Sequence, residues 1–448
     1  MLRCFLAFIL LLIVSGPTTP AAETTGKVAP FLYTVAKVFE PLAWLHGSDR
    51  FPSGAEIFVS NEGGRHPLLP EFAASADPSV SFDGEKVLFA GKARASDPWQ
   101  IWEVVVAGGA RRRVTSFSED CIRPFYLPDD RVVYARKING RFVIEIKELA
   151  GNKTLDLTYT PSNSLPTDVL RDGRILFESS YPLGLEGIPE IYTVYSDGSG
   201  IESYRCDHGA SRYGAKQQSS GDTVFATSHG LARFTSSRAQ QVSISGPGGE
   251  YVGDITETAA GEWLMAWRPD ARAPLRIVRW ISGGGDLKPV LVEEGRNVVE
   301  PVLLAPRPTP NRHPSGLHDW PNANLLCLNA DTSKFQIPAG AIHSVRLYTR
   351  DDSGHPQLLG TAPVERDGSF LVQVPSEQPV QFELLDAFGN SVKRETGYFW
   401  MRRGEQRVCV GCHAGPETAP ENAVPQILLK STTPVDLTGT SAQSAGGH

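Results

Sequence analysis

Short runs of alternating apolar and polar residues, each opened by a turn, recur along most of this chain. The turn Asp83-Gly84 leads into an apolar run over 86–90, and the same unit returns at 128–134, 171–177, 220–225 and 260–265. Anchored on Gly84, Asp130, Gly173, Gly221 and Gly261, the units are spaced by 46, 43, 48 and 40 residues, the length of a four-stranded propeller blade. Each unit is followed by an outer pair of strands with its own turn. Examples are 99–104 running to Gly108-Gly109, 142–146 to Gly151-Asn152, 190–195 to Asp197-Gly198, and 275–280 to Gly283-Gly284. A period of two puts one face of each sheet against its neighbour.

The pattern also predicts how the ring closes. An outer pair at 55–60, turning at 62–64, has no inner strand ahead of it, whereas Val299-Glu300-Pro301-Val302 has the form of an opening strand, like Asp77-Pro78-Ser79-Val80. Joining them completes a blade from both ends of the ring and leaves no free sheet edge. Five full units plus this shared one make about six blades over 55–306. The D-G turn before the second strand resembles the TolB-type, WD40-like propeller repeat, a likeness that speaks to fold and not to function.

The chain has 448 residues, with 43 glycines and 34 prolines and few amphipathic helical stretches, which fits an all-β protein of two or three domains. Past the propeller, 307–321 is a proline-rich linker. Five short strand patterns between 322 and 400, separated by Asp-Gly and Gly-Asn turns, predict a small β-sandwich. A haem c-binding segment at 401–425 and a disordered Ser/Thr/Gly-rich tail at 426–448 complete the expected plan. At the other end, 1–22 reads as a signal peptide: Arg3 precedes an apolar run from Cys4 to Val14, too short to span a bilayer comfortably. Residues 23–54 read as an entry segment, and an exported, periplasmic protein with no membrane span after cleavage is expected. The net charge of −7 is unclustered, which argues against nucleic acid as a partner.

The chemistry lies in Cys409-Val410-Gly411-Cys412-His413. Two thiols at this spacing lie on one side of a tight turn, as needed to add across the vinyl groups of haem, and the next residue offers its imidazole to the iron. The expected cofactor is one covalent haem c, held by Cys409 and Cys412 with His413 as proximal ligand. The competing use of C-x-x-C is zinc, which needs about four ligands, and no second C-x-x-C lies nearby. For the sixth iron position the sequence offers Met401, or else a core methionine beside Phe399 and Trp400, with Tyr398 as an oxygen donor. His208, in a polar stretch between strands, is either a ligand or a turn residue. His313, His318 and His343 fall near the domain junction. Cys121, Cys206 and Cys327 are odd in number, so they allow one bridge or three buried thiols. No nucleophile elbow, zincin helix or phosphate loop is present.

The propeller pattern, then Asp367-Gly368-Ser369-Phe370-Leu371-Val372, Leu384-Leu385-Asp386 and the C-x-x-C-H, resembles the middle and C-terminal regions of the hydrazine synthase alpha-subunit family. The resemblance implies a six-bladed propeller with a C-terminal c-type haem domain, and carries over Cys409, Cys412 and His413. Three readings follow. The chain is a mono-haem electron carrier whose propeller docks a redox protein, a haem-dependent redox enzyme or subunit of a larger multi-haem complex, or a TolB-like binding scaffold with structural haem.

Overall fold

The computed structural model describes residues 29–181, 187–205, 210–236, 239–333, 337–351, 355–395, 397–411 and 422–439. Within them the turn-and-strand units become six antiparallel sheets arranged as propeller blades. Blade 1 is the closing blade. Its inner strand, Asn297–Leu303, comes from the far end of the ring and pairs with Phe31–Ala36, followed by Glu56–Asn61 and Gly64–Pro67. Blades 2 to 5 have inner strands Ala74–Val80, Cys121–Leu127, Ser164–Val169 and Tyr213–Gln217, each followed by three strands in chain order. The inner edge of blade 6 is made in two pieces, Glu250–Tyr251 and Thr256–Glu257, both paired with Trp263–Arg268.

Part of the sequence reading needs correction here. Residues 23–54 read as an entry segment, yet Phe31–Ala36 is a fully buried strand of blade 1. The loop after it, through the 3-10 turn Ala43–His46, folds into the central core with Phe39, Trp44, Leu45 and Phe51. Asn163 donates to the Leu45 carbonyl at 3.0 Å, the Lys137 ammonium to the Gly47 carbonyl at 3.2 Å, and the Trp99 indole to Asp49 at 3.2 Å. The loop is thereby tied to blades 2, 3 and 4 and plugs one end of the propeller axis.

Just inside the plug, the inner strands bulge. Asp77, Arg123, Asp254 and Glu300 have φ of 55°, 54°, 51° and 57°, a left-handed conformation uncommon for non-glycine residues. The pairing shifts register around Asp77, Arg123 and Glu300, as a bulge requires. The bulges hand hydrogen bonds from blade to blade: the Asp77 N–H donates to Glu300 at 3.0 Å, the Arg123 N–H to Asp77 at 3.0 Å, and the Gly214 N–H to Glu178 at 3.0 Å. The Arg123 guanidinium donates to both Asp254 oxygens, at 3.1 and 3.3 Å. From the plug, Arg50 reaches Glu300 at 3.1 Å and Asp254 at 3.3 Å, with its guanidinium 4.7 Å from the Phe39 ring centre. Every member of this network is buried.

The carboxylates of the network are not equivalent. Burial pushes Asp254 up, but the charges of Arg123, Lys216 and Arg50 outweigh it and hold its carboxyl well below the usual range. Burial and the neighbouring Glu300 charge push Asp77 well above that range, only partly offset by Arg123 and Arg50.

The C-terminal domain is a two-sheet sandwich. One sheet orders Gln406–Cys409, Ala323–Cys327, Phe370–Val374 and Val435–Asp436; the other orders Pro356–Pro363, Ser344–Arg350, Gln381–Leu385 and Ser391–Arg394. Alternate residues (Ala323, Leu325, Cys327 and Phe370, Val372, Val374) face Val345, Leu347 and Leu384 across a shared core. A second correction concerns the tail. Residues 426–436 hold the helix Gln426–Lys430 and a strand paired in parallel with Phe370–Val374, because Ile427 and Leu437 have apolar sites to fill.

The opposite titrations of the axial carboxylates give a discriminating test. Asp254 is depressed on folding, so its stabilisation is complete above the unfolded carboxylate range and is lost as pH falls below it. Asp77 is raised, so the folded state loses stability as pH rises through its titration. Asp254→Asn, which leaves the Arg123 charge without its partner, is expected to cost about 3–5 kcal/mol at pH 7. Asp77→Asn is expected to cost well under half as much. Urea unfolding at pH 7 and pH 4 checks both values; equal losses at pH 7 would overturn the assignment.

Candidate functional site

The C-x-x-C-H enters from a strand of the sandwich. Gln406–Cys409 runs parallel to Ala323–Cys327 at the sheet edge, with Cys409 in register with Cys327. The strand's alternation turns Val408 outward, 60% exposed, and packs Cys409 against the sandwich core. Cys409 carries a free thiol. Burial pushes this thiol up, with the Arg407 charge opposing, so it is protonated at neutral pH. Gly411 follows, pressed against the backbone and side chain of Asn329–Thr332 so closely that a Cβ would clash with the Thr332 carbonyl. Cys412 and His413 lie outside the described residues. What is described fits a haem-attachment motif: a free thiol at the end of an edge strand, beside apolar surface, entering a turn that admits only glycine at its third position.

The segment just before the motif is the joint between the two domains. Trp400 is completely buried, not in the sandwich but in the core between blades 3 and 4, against residues such as Ile144, Leu157, Phe177 and Tyr192. Its ring meets Tyr159 edge-on with centroids 6.4 Å apart. Arg402 bonds the Tyr159 hydroxyl and pairs with Glu377 of the sandwich at 2.8 Å. Glu405 accepts from the Arg402 N–H at 2.7 Å, the Gly200 N–H of blade 4 at 3.2 Å and Arg407 at 2.9 Å. Gly404, at φ 70°, packs onto His318. The approach to Cys409 is therefore fixed by both domains.

The proline-rich linker does not stand away from the propeller. It lies along one face, where the Arg307 N–H donates to Phe82 and the Asn311 N–H to Arg171. Gly84 and Gly173, two glycines that mark the repeat, have φ of 81° and 87° and also make room for Pro306 and Asn311.

The remaining sequence-predicted residues are spread out. Met401 is fully buried in the sandwich core among apolar side chains. Tyr398 is buried with Arg350 over its ring at 4.6 Å. His313 stacks on Tyr195 with centroids 3.7 Å apart, His318 stacks on Trp320, and the His343 N–H donates to Leu385. His208 and Cys206 lie outside the described residues. Cys121 is a buried free thiol of the propeller core, and Cys327 belongs to the separate sandwich core. Among the described residues, no three His, Cys, Asp or Glu side chains converge to hold a metal ion. Sequence reasoning missed the axial bulges and the Trp400 anchor. The acid-Pro and Arg-Pro pairs Asp77-Pro78, Arg123-Pro124 and Glu300-Pro301, at matching points of successive inner strands, were the available signal for the bulges.

If Trp400 carries the domain joint, Trp400→Ala should cost about 3–5 kcal/mol, the usual loss for a buried large aromatic. Limited proteolysis should then cut faster within 305–320 than in the parent protein. An unchanged cleavage rate would show that the joint does not depend on this side chain.

Comparison with known proteins agrees with this architecture. Residues 333–414, which include the C-x-x-C-H, match the family model described as the hydrazine synthase alpha subunit middle domain. Over 93 residues the chain is 30% identical to hydrazine synthase subunit alpha of Kuenenia stuttgartiensis, a match spanning 20% of this chain and 12% of that protein. Among solved structures, Kuenenia stuttgartiensis hydrazine synthase superposes with a TM-score of 0.78 at 18% identity, covering 90% of this chain and 72% of the other. TolB from Acinetobacter baumannii gives a TM-score of 0.47 at 15% identity, over 61% of this chain and 66% of that one. The chain thus shares its fold with hydrazine synthase over most of its length and is related in sequence to the alpha subunit of that enzyme around the C-x-x-C-H.

Proposed function

We propose that this chain is an exported c-type haem protein that passes electrons to a redox protein partner. Cys409 and Cys412 would hold the haem covalently and His413 would ligate its iron; the group, when bound, supplies a one-electron carrier. The observation that carries this reading is the C-x-x-C-H itself, whose first cysteine is a free thiol at the end of an edge strand. The protein's own contribution is positioning. Arg402, Glu405 and Gly404 fix the strand that presents Cys409, and the apolar sandwich core beside it excludes water from one side. The basic start and apolar run at 1–14 support export to a periplasmic compartment, where such attachment takes place.

A second reading has specific support. The fold likeness to hydrazine synthase and the sequence match at 333–414 favour a subunit of a larger multi-haem complex, with a redox reaction at the haem. The Trp400 side chain is already used inside the chain, so such a complex would engage other surfaces.

Visible spectra of protein exported from a host with haem-attachment machinery test both readings. Covalent haem is expected to survive a denaturing gel and to disappear in Cys409→Ala together with Cys412→Ala. Reduced bands unmoved by carbon monoxide would support the carrier; a shift would support the reactive subunit. A parent protein without covalent haem would sink both.

A further inference from the structure

With the plug closing one end of the propeller axis, the opposite end opens into a cavity of about 640 Å³. Its floor is the axial network, and the linker at 305–310 forms one wall. That volume lies within the range of small-molecule sites. The walls are largely apolar, with Phe125, Val169, Ile255 and Leu303 facing in.

The charges lining it divide into two groups. Arg123 is matched by Asp254, and Asp77 and Glu300 by Arg50. Arg171 donates to the Gln218 and Ser219 carbonyls, and Glu257 accepts from Ser219. Lys216 and Arg307 are different. The Lys216 ammonium sits 4.4 Å from the Phe125 ring centre, and the Arg307 guanidinium 4.5 Å from that of Phe82. Among the described residues, neither has a carboxylate within ion-pair distance, and the only side-chain hydrogen bond of either is a long one, 3.4 Å, from Arg307 to the Val80 carbonyl. The Asp168 charge favours the charged form of both, and Asp254 that of Lys216 as well, while one Asp168 oxygen is taken by the Gln217 N–H at 2.8 Å. Burial pushes both cations below their ordinary values, the cost of holding them charged away from water. Among the described residues, neither cation is engaged by a carboxylate at ion-pair distance, so both bring unused hydrogen-bond donors to the wall of this cavity.

We propose that this axial cavity binds a small monocarboxylate with an apolar body, its carboxylate on Lys216 and Arg307 and its body on Phe125, Val169 and Ile255. A carboxylate satisfies both sets of donors at once, as charge-assisted hydrogen bonds. An inorganic anion would leave the apolar walls wet, and a neutral ligand would leave the cations unpaired. The site is separate from the C-x-x-C-H, so its failure would not bear on the haem reading.

Isothermal titration of the full-length protein, at constant ionic strength in chloride, tests the assignment with acetate, hexanoate, benzoate, 1-hexanol and phosphate. One equivalent of hexanoate or benzoate is expected to bind at least about tenfold more tightly than acetate, 1-hexanol or phosphate. Lys216→Met and Arg307→Met should each weaken that binding by about tenfold or more. Lys216→Arg should retain it, which separates loss of the charge from loss of the fold. The proposal is overturned if no carboxylate binds, if 1-hexanol or phosphate binds as tightly, or if both methionine variants bind like the parent.

Discussion

The propeller depends on a balance of buried charge at its axis. Glu300, Asp77 and Arg123 belong to three consecutive blades and Asp254 to a fourth, and each is tied to another blade by a hydrogen bond or ion pair. Burying one of these groups alone is costly, and burying them together is tolerable only when every partner arrives. The left-handed backbone at the bulges has its own cost, of order 1–3 kcal/mol each. In return the bulges turn main-chain N–H groups and side chains inward. An apolar axis would hold the blades equally well as a mass; this one also specifies which blade sits beside which.

The two ends of that axis differ in how they are closed. On one side the loop after Phe31–Ala36 fills the centre with aromatic rings and sends Arg50 into the network. On the other the linker crosses the rim, seated on the same glycine turns that begin the second strands of blades 2 and 4. A repeat element designed for sheet geometry therefore also directs the chain toward the sandwich. Trp400 completes the path by returning from the sandwich into the blades, so the strand bearing Cys409 is referenced to both domains.

Much of this was legible in the sequence because it is local. Asp-Gly turns, period-two strands and blade-length spacing depend on neighbours a few residues apart, and they led to the six blades, the closure from both ends and the sandwich. What escaped depends on distant partners. Nothing near Arg50 shows that Glu300 will lie 3.1 Å away. Phe31–Ala36 is buried throughout, with Thr34 as its one strongly polar side chain, so it lacks the alternation that marks the other strands. Val435 and Leu437 sit in a stretch whose composition suggests disorder, and only the unfilled edge of a sheet explains their order. Cys409 was legible as chemistry, but its packing against the core opposite Cys327 required the fold.

The closing blade has a consequence for how the chain reaches its native state. Phe31–Ala36 gains its inner neighbour only when Asn297–Leu303 arrives, and the partners of Arg50 lie 204 and 250 positions further along. Contacts of such sequence separation carry a large loop-closure entropy before any of them is rewarded, so topology of this kind folds slowly. Until the last inner strand docks, blade 1 keeps an unpaired edge and the aromatic plug has no complete axis to enter. The barrier to leaving the native state is raised by the same arrangement, because opening blade 1 breaks the strand seam and the charge network together. The ring is thus slow to assemble and slow to come apart.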